Sequence, residues 1–158
     1  MLRHWTGKRC ARTWIATSTK RSRLVADRLE RALLDTSVVV DLDQLTADVL
    51  PMQVAVSAVT MAELAAGPAA ALDEAERARR QDRLQRAEAT FDPLPLDTEA
   101  ARAYGRIYAA VRAQGRNTRR RFADLLIAAI ALANSLPVLT RNAEDFTGLE
   151  DLIKIAEV

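Results

Sequence analysis

Residues 32–43 read ALLDTSVVVDLD, a short apolar run with a carboxylate at its end and a hydroxyl pair directly behind it. An ionised group is costly to desolvate, so an aspartate at the end of a buried strand needs a reason. ALLD reads as a first strand, followed by a short helix through Val38 to Leu45. Further on, QVAVSAV (53–59) is rich in β-branched residues and reads as a second strand, and AELAAG (62–67) begins a helix that stops at Gly67 and Pro68. Residues 72–90 read as a charged helix with a solvated circumference, and FDPLPLD (91–97) as a short edge strand, because its two prolines cannot donate to a ladder. Asp97 or Thr98 caps a helix through Ala100, Ala103, Tyr104, Ile107, Tyr108 and Val111 to Gly115. FADLLIAAIALANS (122–135) is apolar on nearly every side, as a helix at the centre of a domain is. PVLTRN gives the next strand, AEDFTGLEDL a short helix and IKIAEV the last strand. Such alternation of short β runs with longer helices predicts an α/β fold, a parallel sheet with helices on both faces.

A chain of 158 residues with 49% hydrophobic content suits one domain with a sizeable core. The single cysteine, Cys10, allows no intrachain disulfide, and with the single histidine, His4, it leaves no Cys/His cluster for zinc. No uncharged apolar stretch approaches the roughly 20 residues that cross a bilayer, and no signal-peptide pattern opens the chain, so a cytoplasmic protein is expected. The net charge of +2 hides an asymmetry: residues 1–31 hold nine Lys/Arg against Asp27 and Glu30, a net +7, and the remaining 14 bases face 19 acids, a net −5. The basic head, 1–31, has no steady helical or strand period and reads as an extension outside the fold, disordered or created by a start assigned too far upstream. Residues 32–158 form the domain.

Four acids share one peculiarity. Asp35, Glu63 and Asp145 follow predicted strands, and Asp124 opens the buried helix. In a parallel sheet the carboxyl ends of the strands lie on one edge, where ligands bind at the point of reversed strand order. Singly, each acid has an ordinary explanation: Asp35 as a helix cap, Asp124 and Asp145 in first helical turns, Glu63 on a solvated face. Brought together they repel one another, so either a cation sits among them or they are not a cluster. With only oxygen donors in reach, Mg²⁺ or Mn²⁺ suits such a group better than zinc. An ion of that kind activates water and neutralises phosphoryl charge, which points to hydrolysis of phosphodiesters.

The order LLDTS, VSAVTMAEL, ADLLIAAIAL, VLTRNAEDF resembles the PIN domain, most closely the VapC-type toxins of bacterial VapBC toxin–antitoxin pairs, over residues 32–158. The resemblance implies a three-layer α/β/α sandwich with a central parallel sheet and a Mg²⁺- or Mn²⁺-dependent endoribonuclease, the toxin of a type II pair. It places the catalytic, metal-binding acids at Asp35, Glu63, Asp124 and Asp145, and supporting hydroxyls and amide at Thr36 or Ser37, Thr140 and Asn142. It also implies a homodimer, inhibited by a cognate VapB-type antitoxin whose C-terminal segment covers the acidic groove. The basic head departs from the family pattern, in which the chain begins close to the first strand.

Arg116, Arg119, Arg120 and Arg121 lie just before Asp124, where guanidinium forks can grip RNA phosphates, and Arg141 inside TRN is a further phosphate contact. Arg77, Arg79, Arg80, Arg83 and Arg86 alternate with acids at helical spacing and read as a salt-bridged surface. Aromatic content is 4%, with Trp5 and Trp14 both in the head, so few stacking platforms remain and selectivity is expected from RNA shape and backbone placement. Tyr104 and Tyr108, four apart, read as core or dimer-interface residues. The competing reading is a non-catalytic α/β module whose acidic edge docks a basic peptide. An aspartyl-nucleophile phosphatase is disfavoured, because it needs a second aspartate two positions after Asp35, and residue 37 is Ser.

Overall fold

In the computed structural model, which describes residues 29–158, the ALLD stretch is the last part of β1 (Arg31–Leu34) and the bend into Asp35. The expectation for the basic head falls almost entirely outside the described residues. Along β1 the side chains alternate: Leu33 joins one core, Ala32 and Leu34 the other. That alternation is what a strand buried on both faces requires. β2 (Gln53–Val56) pairs parallel with β1 on one side. β3 (Val138–Thr140) pairs parallel with β1 on the other, and β4 (Ile155–Glu157) extends the sheet beyond β3. The strand order is β2-β1-β3-β4.

Among the described residues five α-helices cover the sheet: α1 (Thr36–Val40), α2 (Ala58–Ala66), α3 (Glu74–Thr90), α4 (Thr98–Ala113) and α5 (Phe122–Ala133). Val38, Leu64 and Leu84 bring α1, α2 and α3 onto the Leu34 face, while Ile107, Val111, Leu125 and Ile127 bring α4 and α5 onto the Leu33 face. The three-layer α/β/α architecture expected from the sequence is therefore present. On α5, Leu125 and every residue from Ile127 to Ala131 are fully buried, as the all-round apolar pattern requires.

Local expectations are corrected at four places. The second strand ends at Val56, because the Ser57 hydroxyl accepts the Thr60 backbone N–H at 2.9 Å and starts α2 four residues before AELAAG. FDPLPLD forms no strand; one parallel bridge joins Leu94 to Ser57, and the flanking prolines have no N–H to extend it. The helix expected over Val38–Leu45 instead starts at Thr36, and the chain after Val40 makes two 3₁₀ turns, Leu42–Gln44 and Ala47–Val49. The AEDF segment is likewise a 3₁₀ turn, Ala143–Phe146. Among the described residues no helix is long and apolar enough to cross a membrane.

Candidate active site

The chain moves from β1 to one side for β2 and returns to the other side for β3, so strand order reverses between the carboxyl ends of β1 and β3. A parallel sheet splays open at such a point. Asp35 stands directly behind β1 and Thr140 is the last residue of β3. Asp145 lies in the 3₁₀ turn after β3, and Glu63 on α2 after β2. Asp124 sits in the first turn of α5.

Asp35 is 6% exposed and one of its oxygens carries its whole network. Oδ2 accepts the Ser37 hydroxyl at 2.6 Å, the Thr140 hydroxyl at 2.9 Å and, more weakly, the Ser37 backbone N–H at 3.4 Å. The two hydroxyls also approach each other at 3.4 Å. Ser37 Oγ already accepts the Arg141 backbone N–H at 3.1 Å, and Thr140 Oγ1 accepts the Asn142 N–H at 3.0 Å. Two backbone donors thus orient two hydroxyls, and both hydroxyls donate to one carboxylate oxygen. Asp35 also caps α1, so the ordinary reading and the functional one apply to the same residue.

Glu63 is exposed on α2 and accepts the hydroxyl of Thr36. Asp124 is half-buried, and its carboxyl is pushed up to about 6, first by burial, then by the charges of Asp145, Asp35 and Glu63, with Arg121 opposing. Asp145, Asp35 and Glu63 therefore lie near enough to add to the field on Asp124. They flank one another without packing into a preformed chelate: among the described residues no three Asp, Glu, His or Cys side chains stand close enough to hold an ion directly. Mg²⁺ keeps several of its waters, so carboxylates can hold it partly through them. The oxygen-only donor set and the raised proton affinity of Asp124 fit such an ion.

The predicted supports divide. Ser37 and Thr140 serve Asp35, Thr36 serves Glu63, and Asn142 enters through its backbone N–H. Arg119 and Arg120 are exposed in the turn before α5. Arg121 caps α5 and reaches the Thr147 carbonyl with both terminal nitrogens at 3.5 Å. Arg141 turns its guanidinium to Asp41, an acid that sequence reasoning did not connect with the site. No local pattern signals that pair, since its partners lie 100 residues apart. On α3, Arg79 and Arg80 pair with Glu76 and Arg86 with Asp43 and Asp82, as expected of a salt-bridged surface. Tyr104 packs between Tyr108 and Phe122, with ring centroids 6.1 Å apart in both pairs.

Against this geometry stand the comparisons with known proteins. The family described as PIN domain matches residues 32–151. Ribonuclease VapC5 of Mycobacterium tuberculosis is 39% identical over 121 residues, a stretch covering 75% of this chain and 87% of that one. A crystal structure of VapBC-5, a member of the VapBC family of toxin–antitoxin systems from the same organism, matches with a TM-score of 0.69 at 35% identity, covering 82% of this chain and 98% of its own. FitAcB from Neisseria gonorrhoeae matches with a TM-score of 0.61 at 28% identity, over 78% of this chain and 95% of its own.

Proposed function

This chain belongs to the PIN-domain family, and from that premise we propose that it cleaves RNA with Mg²⁺ or Mn²⁺ held by Asp35, Glu63, Asp124 and Asp145. It is a ribonuclease and the toxin of a toxin–antitoxin pair. The observation that supports the metal reading is the site's own electrostatics: burial first, and then the charges of Asp145, Asp35 and Glu63, push the Asp124 carboxyl up to about 6. A divalent ion bound there supplies charge neutralisation at the phosphoryl oxygens and an activated water.

The chain's own residues prepare that chemistry. Asp35 keeps Oδ2 on Ser37 and Thr140, which leaves Oδ1 without a protein hydrogen bond among the described residues and able to serve as an ion ligand. Thr36 orients Glu63 from the first residue of α1. Arg119, Arg120, Arg121 and Arg141 are the cations near the edge that offset RNA repulsion, and they act on the phosphate backbone rather than on bases. A homodimer is part of this reading, supported by Tyr108 and Phe122, which are 41% and 56% exposed on neighbouring helices. The partner is a VapB-type antitoxin whose arginine-bearing tail lies in the acidic groove, and the cytoplasm is where both meet RNA.

Incubating purified protein with single-stranded RNA and Mn²⁺ tests the reading. Cleavage is expected from the wild type and not from Asp35→Ala, Glu63→Ala or Asp124→Ala variants that keep their circular dichroism spectra. Wild-type rates in those variants would remove the catalytic assignment. Calorimetric titration of Mn²⁺ into wild type and Asp35→Asn tests metal binding before any RNA sequence is known.

A further inference from the structure

Two arginines near the acids have no good partner, and both reach for the same atom. Arg121 Nη1, Arg121 Nη2 and Arg116 Nη1 each approach the Thr147 carbonyl oxygen at 3.5 Å. A carbonyl offers two lone pairs, and three N–H donors at the outer limit of hydrogen bonding satisfy none of the three well. Arg121 Nε is buried and unpaired, the one such side-chain atom among the described residues. A buried polar group left without a partner requires an explanation, and one explanation is a ligand.

The surrounding charges narrow that ligand to an anion. Burial makes charging Arg121 costly, and repulsion from Arg116 adds to that cost. Asp145, Asp124 and Glu150 attract Arg121 from a distance, yet none forms an ion pair with it. Glu150 is committed to the Gly148 N–H, which donates to its two oxygens at 3.0 and 2.8 Å. Thr147 follows Asp145 by two residues and Arg121 precedes Asp124 by three, so the fork stands on the acids' flank.

Building on the ribonuclease reading, we propose that Arg116 and Arg121 form a receptor for one RNA backbone phosphate beside Asp124 and Asp145. A strand held there by one phosphate presents the neighbouring phosphodiester to the four acids, whose repulsion it otherwise meets unaided. Two guanidinium groups supply the planar, multi-donor fit that phosphate oxygens take best. Arg119 and Arg120, exposed in the turn, contribute only diffuse attraction. The pairing therefore singles out two positions from a run of four arginines.

The test is steady-state cleavage of a long mixed-sequence single-stranded RNA with Mn²⁺ at several KCl concentrations. The variants are Arg116→Met, Arg121→Met, Arg121→Lys and the double change Arg119→Met/Arg120→Met. Arg116→Met and Arg121→Met are expected to raise KM about tenfold, as removal of a charge-assisted hydrogen bond to phosphate does. The slope of log KM against log salt should flatten by about 0.7 for each single-strand phosphate that is no longer neutralised. Arg121→Lys should recover part of the loss, and Mn²⁺ affinity should match wild type throughout. The double variant should raise KM less than either single one.

Unchanged KM and salt slope in Arg116→Met would overturn the proposal, as would a larger effect in the Arg119/Arg120 variant. Weaker Mn²⁺ binding in Arg121→Met would overturn it too, because the arginine would then be ordering the acids. If Arg121→Met does not fold, Arg116→Met and Arg121→Lys decide the matter by the same readouts. A wild type that leaves the RNA intact refutes the ribonuclease reading itself, and the receptor with it; intact cleavage with insensitive variants refutes the receptor alone.

Discussion

Thr140 donates its hydroxyl to Asp35 Oδ2 at 2.9 Å across 105 residues of chain, joining the end of β3 to the end of β1. Thr140→Val keeps the shape of the side chain and removes the donor. It also strips the Asn142 N–H of its acceptor. Because one partner of a buried bond is lost on each side, stability should fall by about 1–3 kcal/mol, read from urea unfolding. Turnover should fall with it, and Thr140→Ser should restore both. A Val variant as stable and active as wild type would show that Ser37 alone holds Asp35.

The raised pKa of Asp124 predicts a stability profile for the metal-free protein. A carboxyl whose folded pKa lies near 6, above its unfolded value of 3.8, adds stability below the unfolded value and loses it as pH rises through 6. Asp124→Asn cannot ionise, so it should be more stable than wild type at pH 8, and that advantage should vanish by pH 4. Solvent reaches this half-buried group and screens its neighbours, which limits the difference to about 1 kcal/mol. Adding Mn²⁺ at pH 8 should raise the melting temperature of the wild type and leave the Asn variant nearly unmoved. Parallel melting curves for the two proteins from pH 4 to pH 8 would mean that the acids do not feel one another.

The positions of Asp35 and Asp145 behind β1 and β3 were legible because a parallel sheet sends every strand's carboxyl end to one edge, so both could be placed from strand assignments alone. Ser57 was not legible as a cap. It stands inside QVAVSAV, where the β-branched pattern runs on through Val59, and only the Thr60 N–H reveals that the strand has ended. The convergence of Arg116 and Arg121 on one point was hidden for a different reason. Their shared acceptor is the backbone carbonyl of Thr147, and a carbonyl leaves no trace in residue identity. Pairs such as Arg141 with Asp41 depend on how the β3 loop passes α1, which no local period records.

Gly148 sits at φ +93°, and a Cβ there would collide with the end of the Gln114 side chain. Both facts oppose any other residue: the left-handed backbone is strained for one with a Cβ, and Gln114 must move. Gln114 gives up its bond to the Gly148 carbonyl when it does. Gly148→Ala should therefore cost about 1–3 kcal/mol in thermal or urea unfolding. The neighbouring Thr147 and Asp145 share the loop, so cleavage should weaken as well. Gln114→Ala in the same chain removes the clash and should recover part of the stability, whereas no recovery would assign the whole cost to the backbone.

Arg141 carries two attachments of different kinds. Its backbone N–H holds Ser37, and its guanidinium pairs with Asp41 at 2.5 Å, while Asp41 also accepts the Gln44 amide at 3.4 Å. With the two side chains 41% and 31% exposed, the ion pair itself contributes little stability, below about 1 kcal/mol. On the ribonuclease reading, Asp41 sets a negative charge beside the Arg141 phosphate contact and occupies its guanidinium. Asp41→Asn removes that charge and frees the guanidinium, so KM for single-stranded RNA should fall about threefold at low salt, with the salt slope steeper by about 0.7. The backbone bond to Ser37 is untouched, so kcat should stay at the wild-type value. A higher KM, or a fall in kcat, would instead make the pair a clamp that keeps the β3 loop against α1, with Arg141 committed to structure and withdrawn from the substrate.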